Sequence, residues 1–187
     1  MRLGAEDVTG LPTHALARRG LARMYQRNEL FDGLSARENV ALGLAAARGP
    51  YRLSRAGSGG EWAAAERVLA EVGLADRARA RVRTLSHGER RQLELAITLA
   101  QRPRVLLLDE PTAGMSPAET ADITRLIADL DRSLTMLIVE HDMDVVFRLA
   151  DRITVLHEGR VIADGAPADI RGDRRVNEVY LGRVVEA

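Results

Sequence analysis

The chain lacks two residue types on which many functional sites depend. None of its 187 residues is cysteine, which excludes a disulfide framework and a zinc site built from thiolates. None is lysine either, so all 27 basic residues are arginine. Any site that requires a thiol or the amine of a lysine side chain is therefore excluded from these 187 residues.

Long apolar runs and a strong net charge are also absent. No apolar run is long enough to cross a bilayer, and residues 1–10 have no apolar core stretch of the kind found in a secretory signal. The formal net charge of +0 gives no indication of nucleic acid or of an anionic membrane as a partner. These features predict a cytoplasmic protein that binds no nucleic acid and reaches a membrane only through a partner.

The residues that are present predict alternating strands and helices. With 46% hydrophobic and 29% charged residues, the chain can form one domain with a buried core. Residues 105–108 and 134–139 are continuous apolar runs, typical of strands buried on both faces of a parallel sheet. Further strands are predicted over residues 21–26, 153–156 and 160–163, the last two joined by a turn at Glu158-Gly159. Helices are predicted over residues 12–19, 36–47, 61–72, 86–100, 118–131, 143–150 and 168–181. The pattern predicts a single α/β domain over residues 1–187, in which residues 36–100 form a helical subdomain and residues 1–35 and 101–187 form the remaining core.

Two adjacent carboxylates follow the first apolar run. In an open α/β sheet, ligands bind beyond the carboxyl ends of the strands, where Asp109 and Glu110 are expected. One carboxylate could hold Mg²⁺ directly or through water, and the other could orient and deprotonate an attacking water. The alternative is a strand that ends in a polar turn, with Pro111 as the residue that breaks it.

A second candidate site lies at residues 85–89, where a helix is predicted to begin. The free N–H groups and the dipole of a helix start favour a phosphate. Ser86 could add a hydroxyl donor, and Gly88 would let a ligand approach the backbone closely. The alternative is an ordinary serine N-cap.

A third candidate is His141, which follows residues 134–139 and Glu140. A lone histidine is often structural, but this one is expected at the same sheet edge as the paired acids, where it could donate a hydrogen bond to a terminal phosphate.

Taken in order, residues 86–89, Asp109-Glu110 and His141, with Gln26 ahead of the helical lobe, resemble the ABC ATPase family. Shorter segments are similar to ATPases of branched-chain amino acid uptake systems, of which the lipopolysaccharide-export ATPase is a close relative; these segments are residues 20–26, 28–31, 38–40, 140–143 and 178–182.

The resemblance implies a P-loop NTPase (RecA-like) core in which ATP lies between two subunits arranged head to tail. Ser86 and Gly88 would close onto the nucleotide that the second subunit holds. Asp109 would support Mg²⁺, and Glu110 would be the general base for water. His141 and Gln26 would contact the region of the γ-phosphate, with Gln26 also sensing Mg²⁺ and the attacking water.

The same resemblance implies partners and a location. The partners would be a second ABC ATPase subunit in a homodimer or heterodimer, transmembrane permease subunits, and a periplasmic or extracellular substrate-binding protein. The chain would then lie at the cytoplasmic face of the cell membrane. Leu30, Phe31 and Leu34 are candidates for contact with the permease, and ordinary packing of the loop is the alternative.

The chain departs from the family pattern in two places. Ser116 stands where many members carry aspartate. More seriously, the P-loop G-x-x-x-x-G-K-[ST], whose N–H groups and lysine hold the β- and γ-phosphates, has no counterpart before Gln26. The family places the strand that carries this loop between those equivalent to residues 134–139 and 153–156. We therefore expect an amino-terminally truncated form of a longer ATPase, which by itself binds ATP very weakly or not at all.

Three functions remain open from the sequence. The first is an ATPase subunit that powers the import of branched-chain amino acids. The second is a non-enzymatic, degenerate subunit that contributes only Ser86 and Gly88 to the P-loop of an intact partner. The third is an ATPase of lipopolysaccharide export, which would differ from the first only in its membrane subunits.

Overall fold

The computed structural model describes residues 1–25, 30–47 and 59–181. The strands are β1 (Arg2–Leu3), β2 (Glu6–Asp7), β3 (Leu21–Met24), β4 (Val105–Asp109), β5 (Thr135–Val139), β6 (Ile153–His157) and β7 (Arg160–Gly165). The helices are α1 (Thr13–Arg18), α2 (Ala36–Ala47), α3 (Gly59–Glu71), α4 (His87–Ala100), α5 (Pro117–Ala128), α6 (Met143–Leu149), α7 (Pro167–Gly172) and α8 (Arg174–Val176). None of the helices in these ranges combines the length and the apolar character needed to span a bilayer. The residues form two compact units, Met1–Val139 and the part from Glu140 onward.

A three-stranded parallel sheet, ordered β3-β4-β5, runs through the first unit. Leu106 and Leu108 of the central strand β4 are almost completely buried, at 0% and 1% exposure. Because the strands are parallel, the carboxyl ends of β4 and β5, at Asp109 and Val139, lie at the same edge. The predicted parallel α/β architecture is confirmed.

The expectation that residues 134–139 form a strand buried on both faces is wrong. Side chains of β5 alternate between exposed and partly buried, and Leu137 and Val139 are 60% and 56% exposed. Among the described strands, β5 pairs with β4 alone. An apolar run indicates a strand, but it does not show how many of its faces are covered.

Helices α2, α3 and α4 pack around a shared apolar core in the first unit. Val40, Leu69 and Leu93 are completely buried in that core. Helices α2 and α4 approach closely at Gly43, where an added Cβ would lie 3.0 Å from the Ile97 side chain. Helical packing of this region agrees with the sequence pattern, while the division into a helical subdomain of residues 36–100 and a separate core stays a prediction.

The start of α2 carries a capping box. The Glu38 carboxylate accepts a hydrogen bond from the Ser35 N–H at 2.6 Å, and the Ser35 hydroxyl lies 3.4 Å from the Glu38 N–H. In the first turn of the helix, the Arg37 guanidinium lies over the ring of Trp62 in α3, 4.8 Å from its centroid. This cation–π contact connects α2 to α3 at the edge of their apolar core.

The second unit contains an antiparallel hairpin of β6 and β7. Its turn residues Glu158 and Gly159 have φ angles of 48° and 75°, which suit the tight turn predicted there. The single helix expected over residues 168–181 is instead interrupted. Helix α7 ends at Gly172, Asp173 caps the short α8 by accepting a hydrogen bond from the Arg175 N–H at 2.8 Å, and a π-helical turn follows over Asn177–Leu181. Aspartate at 173 favours a new helix start over continuation of the old one.

Replacing Leu106 with alanine should lower the free energy of unfolding by about 2–5 kcal/mol, because the side chain is completely buried and its removal leaves a cavity. Urea denaturation monitored by circular dichroism measures the change. Leu137→Ala on neighbouring β5 is the matched control, since its side chain is 60% exposed and should contribute much less. Equal losses in the two variants would contradict the burial described here.

Candidate functional site

The first predicted site segment, residues 85–89, forms the beginning of α4. Ser86 is the N-cap: its hydroxyl oxygen accepts a hydrogen bond from the Glu89 N–H at 3.2 Å, and the Glu89 carboxylate accepts one from the Ser86 N–H at 2.8 Å. This reciprocal pair fixes the start of the helix. A hydroxyl that accepts one hydrogen bond can still donate its own hydrogen, so the cap and an anion site are compatible at Ser86.

A carboxylate from α5 lies against this helix start. The Gly88 N–H donates to Glu119 Oε1 at 3.1 Å, and Glu119 Oε2 accepts from the N–H and hydroxyl of Ser116 at 3.0 and 2.8 Å. A Cβ at position 88 would lie 2.9 Å from Glu119 Oε1, so a side chain there would displace the carboxylate. His87 Nε2 also lies 3.4 Å from the Ala113 carbonyl oxygen. The start of α4 and the loop before α5 are therefore joined by hydrogen bonds.

The hydrogen bonds from the Ser116 backbone and side chain hold the pKa of Glu119 below its ordinary value of 4.5, with smaller contributions from the Gly88 N–H and from His87. Because the folded-state pKa is lowered, the carboxylate stabilises the fold at pH values above 4.5. That contribution is lost as the pH falls through the lowered pKa of the folded protein.

In Ser116→Ala we expect the pKa of Glu119 to rise toward 4.5, because the hydroxyl donor is gone while the backbone donor remains. A carbon-13 NMR titration of the glutamate side chains measures this value. Ser86→Ala is the matched control, because it removes a capping hydroxyl that contacts Glu89 instead of Glu119. A Glu119 pKa that is unchanged in Ser116→Ala would refute the assignment of its cause.

The paired acids lie at the carboxyl edge of the sheet, as the sequence predicts. Asp109 ends β4, and its Oδ2 accepts a hydrogen bond from Arg23 Nη2 at 2.9 Å. Glu110 follows with a φ of 45°, a left-handed conformation that costs a non-glycine residue about 1–2 kcal/mol. The Glu110 N–H donates to the Val139 carbonyl at 2.9 Å and so extends the pairing of β4 with β5 by one residue.

A buried arginine holds the backbone around these acids. Arg91 in α4 is 3% exposed, and its side chain pairs with the Glu94 carboxylate at 2.9 Å. Its remaining donors reach backbone carbonyl oxygens: Asp109 at 3.2 Å, Glu110 at 2.8 Å, Pro111 at 2.9 Å and Tyr25 at 2.9 Å. The helix that begins at Ser86 is thereby attached to the end of β4 and to the backbone that precedes Gln26.

Two predicted site residues are not joined to the others by these contacts. Gln26 lies outside the described residues. His141 belongs to the second unit, where its N–H donates to the Glu140 carboxylate at 3.0 Å and its side chain is 70% exposed. The convergence of His141 and Gln26 with Glu110 stays a prediction.

The side chains at the carboxyl edge of the sheet fit a magnesium ion that takes few of its ligands from the protein. Mg²⁺ usually keeps several waters and binds one or two carboxylates together with substrate phosphates. Asp109 offers a carboxylate at the expected edge, next to Arg23. Within residues 1–25, 30–47 and 59–181, no group of three or more acidic or histidine side chains could enclose an ion. The donor set fits an ion whose other ligands are water and phosphate oxygens.

Arg23, Arg91 and Glu119 are not among the site residues that the sequence predicts. A signal for Arg91 exists, because it stands three residues before Glu94 on a helix face that is otherwise mostly apolar. Glu119 stands three residues after Ser116, which is a capping-box pattern. Neither pattern shows that the side chain also reaches a different element of the fold.

A groove of about 1100 Å³ lies in the first unit near the residues proposed for permease contact. Its lining includes Phe31, the apolar side chains of Leu42 and Ile97, and the cationic Arg18, Arg102 and Arg104. Phe31 is 61% exposed. Leu30 packs against the helical core, so ordinary packing accounts for Leu30 and leaves Phe31 exposed in the groove.

The family models, relatives and solved structures that this chain matches are all of ABC transporter proteins. The family model described as "ABC transporter" matches residues 2–113, and that described as "Branched-chain amino acid ATP-binding cassette transporter" matches residues 160–186. The chain is 38% identical to the high-affinity branched-chain amino acid transport ATP-binding protein BraF of Pseudomonas aeruginosa, covering 97% of this chain and 75% of that relative. It is 36% identical to the lipopolysaccharide export system ATP-binding protein LptB of Acidithiobacillus ferridurans, covering 96% of this chain and 72% of that relative. A crystal structure of a nucleotide-free ATP-binding cassette from an ABC transporter has a similar fold, with a TM-score of 0.80, 24% identity and coverage of 95% and 75%.

The chain thus has the fold of an ATP-binding cassette, and its parallel sheet carries acids at the carboxyl edge. The chain belongs to the ABC transporter family and is homologous to the ATP-binding subunits of branched-chain amino acid transporters. The ABC ATPase class and fold predicted from the sequence are confirmed, and nucleotide binding is the property that the family shares. The roles of individual site residues stay predictions.

Proposed function

We propose that the chain is the ATP-binding and ATP-hydrolysing subunit that powers import of branched-chain amino acids. The observation that carries this proposal is the 38% identity with BraF across 97% of the chain. The match of residues 160–186 to the branched-chain amino acid family model supports the same substrate class. The 36% identity with LptB supports lipopolysaccharide export as a second candidate.

In this proposal, the start of α4 binds the γ-phosphate of ATP held by a second ATPase subunit. The Gly88 N–H and the Ser86 hydroxyl would donate to phosphate oxygens, aided by the helix dipole. The Glu119 carboxylate now accepts the Gly88 N–H, so a phosphate would have to displace an anion from the same donor. Like charges exclude each other at this distance, which makes Glu119 the group that must move when the two subunits close.

The acids at the end of β4 would serve the nucleotide of this subunit itself. Asp109 would hold Mg²⁺ through its carboxylate, in exchange for its present contact with Arg23. Bound Mg²⁺ would neutralise charge on the phosphates. Glu110 would accept a proton from the water that attacks the γ-phosphate. Gln26 and His141 would orient that water and donate to the γ-phosphate, respectively.

The phosphate-binding loop of such a site must come from outside these 187 residues. They contain no lysine, so the P-loop amine that reaches the β- and γ-phosphates is missing from them. The same fact supports the alternative in which the chain contributes only Ser86 and Gly88 to a partner's nucleotide. In both cases the chain acts together with a second ABC ATPase subunit.

The remaining partners would be permease subunits and a periplasmic or extracellular substrate-binding protein, with the chain held peripherally at the cytoplasmic membrane face. The groove beside Phe31 suits a permease segment, because it combines apolar walls with arginines that could pair with an acidic side chain. Residue Phe31 itself, 61% exposed, would be covered by that segment.

The test is uptake in proteoliposomes that contain this chain, the permease subunits and a second ATPase subunit with a P-loop, together with the substrate-binding protein. We expect uptake of radiolabelled leucine that depends on ATP. In a form of this subunit that also carries the P-loop, we expect Glu110→Gln to reduce ATP hydrolysis by about 10²–10⁴-fold, because the general base is lost. Glu158→Gln, a change of the same kind in the β6–β7 turn, is the control. Hydrolysis that survives in Glu110→Gln and is lost in Ser86→Ala would favour the alternative, and absence of leucine uptake would contradict the substrate class.

A further inference from the structure

The placement of Arg91 is unusual for a charged side chain. It stands five residues beyond Ser86 on α4, and its side chain is 4% exposed. A guanidinium carries five N–H donors, and only one of its hydrogen bonds goes to the opposite charge of Glu94. The other four go to backbone carbonyl oxygens of residues 25 and 109–111.

The burial of Arg91 and Glu94 is poorly explained by stability of the fold alone. Replacing a buried pair with apolar residues of similar volume is often neutral or stabilising, since both charges must leave water. The carbonyl groups that Arg91 contacts all lie in segments next to predicted nucleotide-binding side chains, Glu110 on one side and Gln26 on the other. These contacts indicate that Arg91 sets the backbone geometry beside the predicted site residues.

The backbone at Glu110 adopts an unfavourable conformation that needs support from neighbouring groups. With a φ of 45°, Glu110 is in a region that non-glycine residues avoid, and the surrounding contacts must hold it there. Its N–H is held by the Val139 carbonyl at 2.9 Å, and its own carbonyl oxygen accepts from Arg91 Nη2 at 2.8 Å. The rigid, planar fork of arginine fixes two neighbouring carbonyls at once, which a lysine ammonium cannot reproduce.

We propose that Arg91 is a positioning residue, which sets the direction of the Glu110 side chain by clamping the left-handed backbone at that residue. Because the same guanidinium holds the Tyr25 carbonyl, it also attaches the start of the segment containing Gln26 to α4. If α4 shifts when Ser86 and Gly88 contact a phosphate, the shift would then be transmitted to Glu110, the proposed general base of the subunit's own site. This inference rests on the proposed function in assigning the base role to Glu110 and the phosphate contact to Ser86 and Gly88.

The test measures amide hydrogen exchange by NMR on the full chain without nucleotide. Arg91→Lys keeps the charge opposite Glu94 and loses the fork. Arg91→Met combined with Glu94→Leu removes the buried pair and restores an apolar interior. Arg90→Lys is the matched control on the same helix, because Arg90 contacts Asp32 and the Leu85 carbonyl.

In both Arg91 variants the Glu110 amide should exchange at least about 10-fold faster, while the buried amides of Leu106 and Leu108 change much less. Arg90→Lys should leave the Glu110 amide at its original rate. A purely structural role predicts that the double variant regains original exchange at Glu110, and that result would overturn the proposal. Parallel acceleration at Leu108 and Glu110, or loss of the fold in both variants, would overturn it too. Because no nucleotide is used, failure of transport or hydrolysis would contradict the proposed function without affecting this result.

Discussion

Replacing Gly88 with aspartate should reduce the ATP hydrolysis that this chain supports in a second subunit's site by at least about 100-fold. A side chain at position 88 would begin 2.9 Å from Glu119 Oε1 and 3.1 Å from its Cγ, so the start of α4 would have to rearrange. The new carboxylate would also repel both Glu119 and the incoming phosphate. Steady-state phosphate release by the mixed subunits measures the loss.

Gly60→Asp is the matched control for this variant. Gly60 is exposed in the first turn of α3, nothing lies within 4 Å of an added Cβ, and an acidic residue is favourable at a helix start. It should leave hydrolysis unchanged. If Gly88→Asp retained the original rate, the start of α4 would not contact the nucleotide, and the proposed role of Ser86 and Gly88 would be wrong.

Replacing Arg91 with methionine should lower the free energy of unfolding by about 3–5 kcal/mol. The variant leaves the Glu94 carboxylate, whose side chain is 9% exposed, without its arginine partner, and it deprives four backbone carbonyls of a donor. Unfolding in guanidinium chloride measures the loss. Adding Glu94→Leu should recover most of it, because the buried carboxylate that lost its arginine is then gone.

An exposed pair with the same spacing provides the comparison. Arg125 and Asp122 on α5 are also three residues apart, with a separation of 3.3 Å, but their side chains are 62% and 61% exposed. Arg125→Met should therefore cause a much smaller loss, because exposed ion pairs are solvated and contribute little. A loss at Arg125 as large as that at Arg91 would show that burial is not the cause.

Local patterns in the sequence were sufficient for most of the elements. The apolar run that ends in Asp109, the N-cap serine at Ser86, and the Glu158-Gly159 turn each depend on residues within a few positions of one another. Short-range hydrogen bonding and the alternation of apolar side chains determine such features, so they can be read from the chain directly. The same patterns predicted a strand at residues 134–139, which the structure has at residues 135–139.

Contacts between distant segments could not be predicted in this way. The exposure of Leu137 depends on what packs against β5, and the Arg23–Asp109 pair joins residues 86 positions apart. The left-handed backbone of Glu110 results from tertiary contacts that overcome an unfavourable local conformation. The contact of Glu119 with Gly88 likewise requires α4 and α5 to be in place first.

The packing of Trp62 has a practical consequence for following this molecule in solution. It is the single tryptophan of the chain, it contacts the apolar core shared by α2, α3 and α4, and a guanidinium covers its ring. Excitation near the red edge of protein absorbance therefore yields emission from one known position. Its wavelength and quenching would report the environment of these three helices during subunit association, without any attached dye.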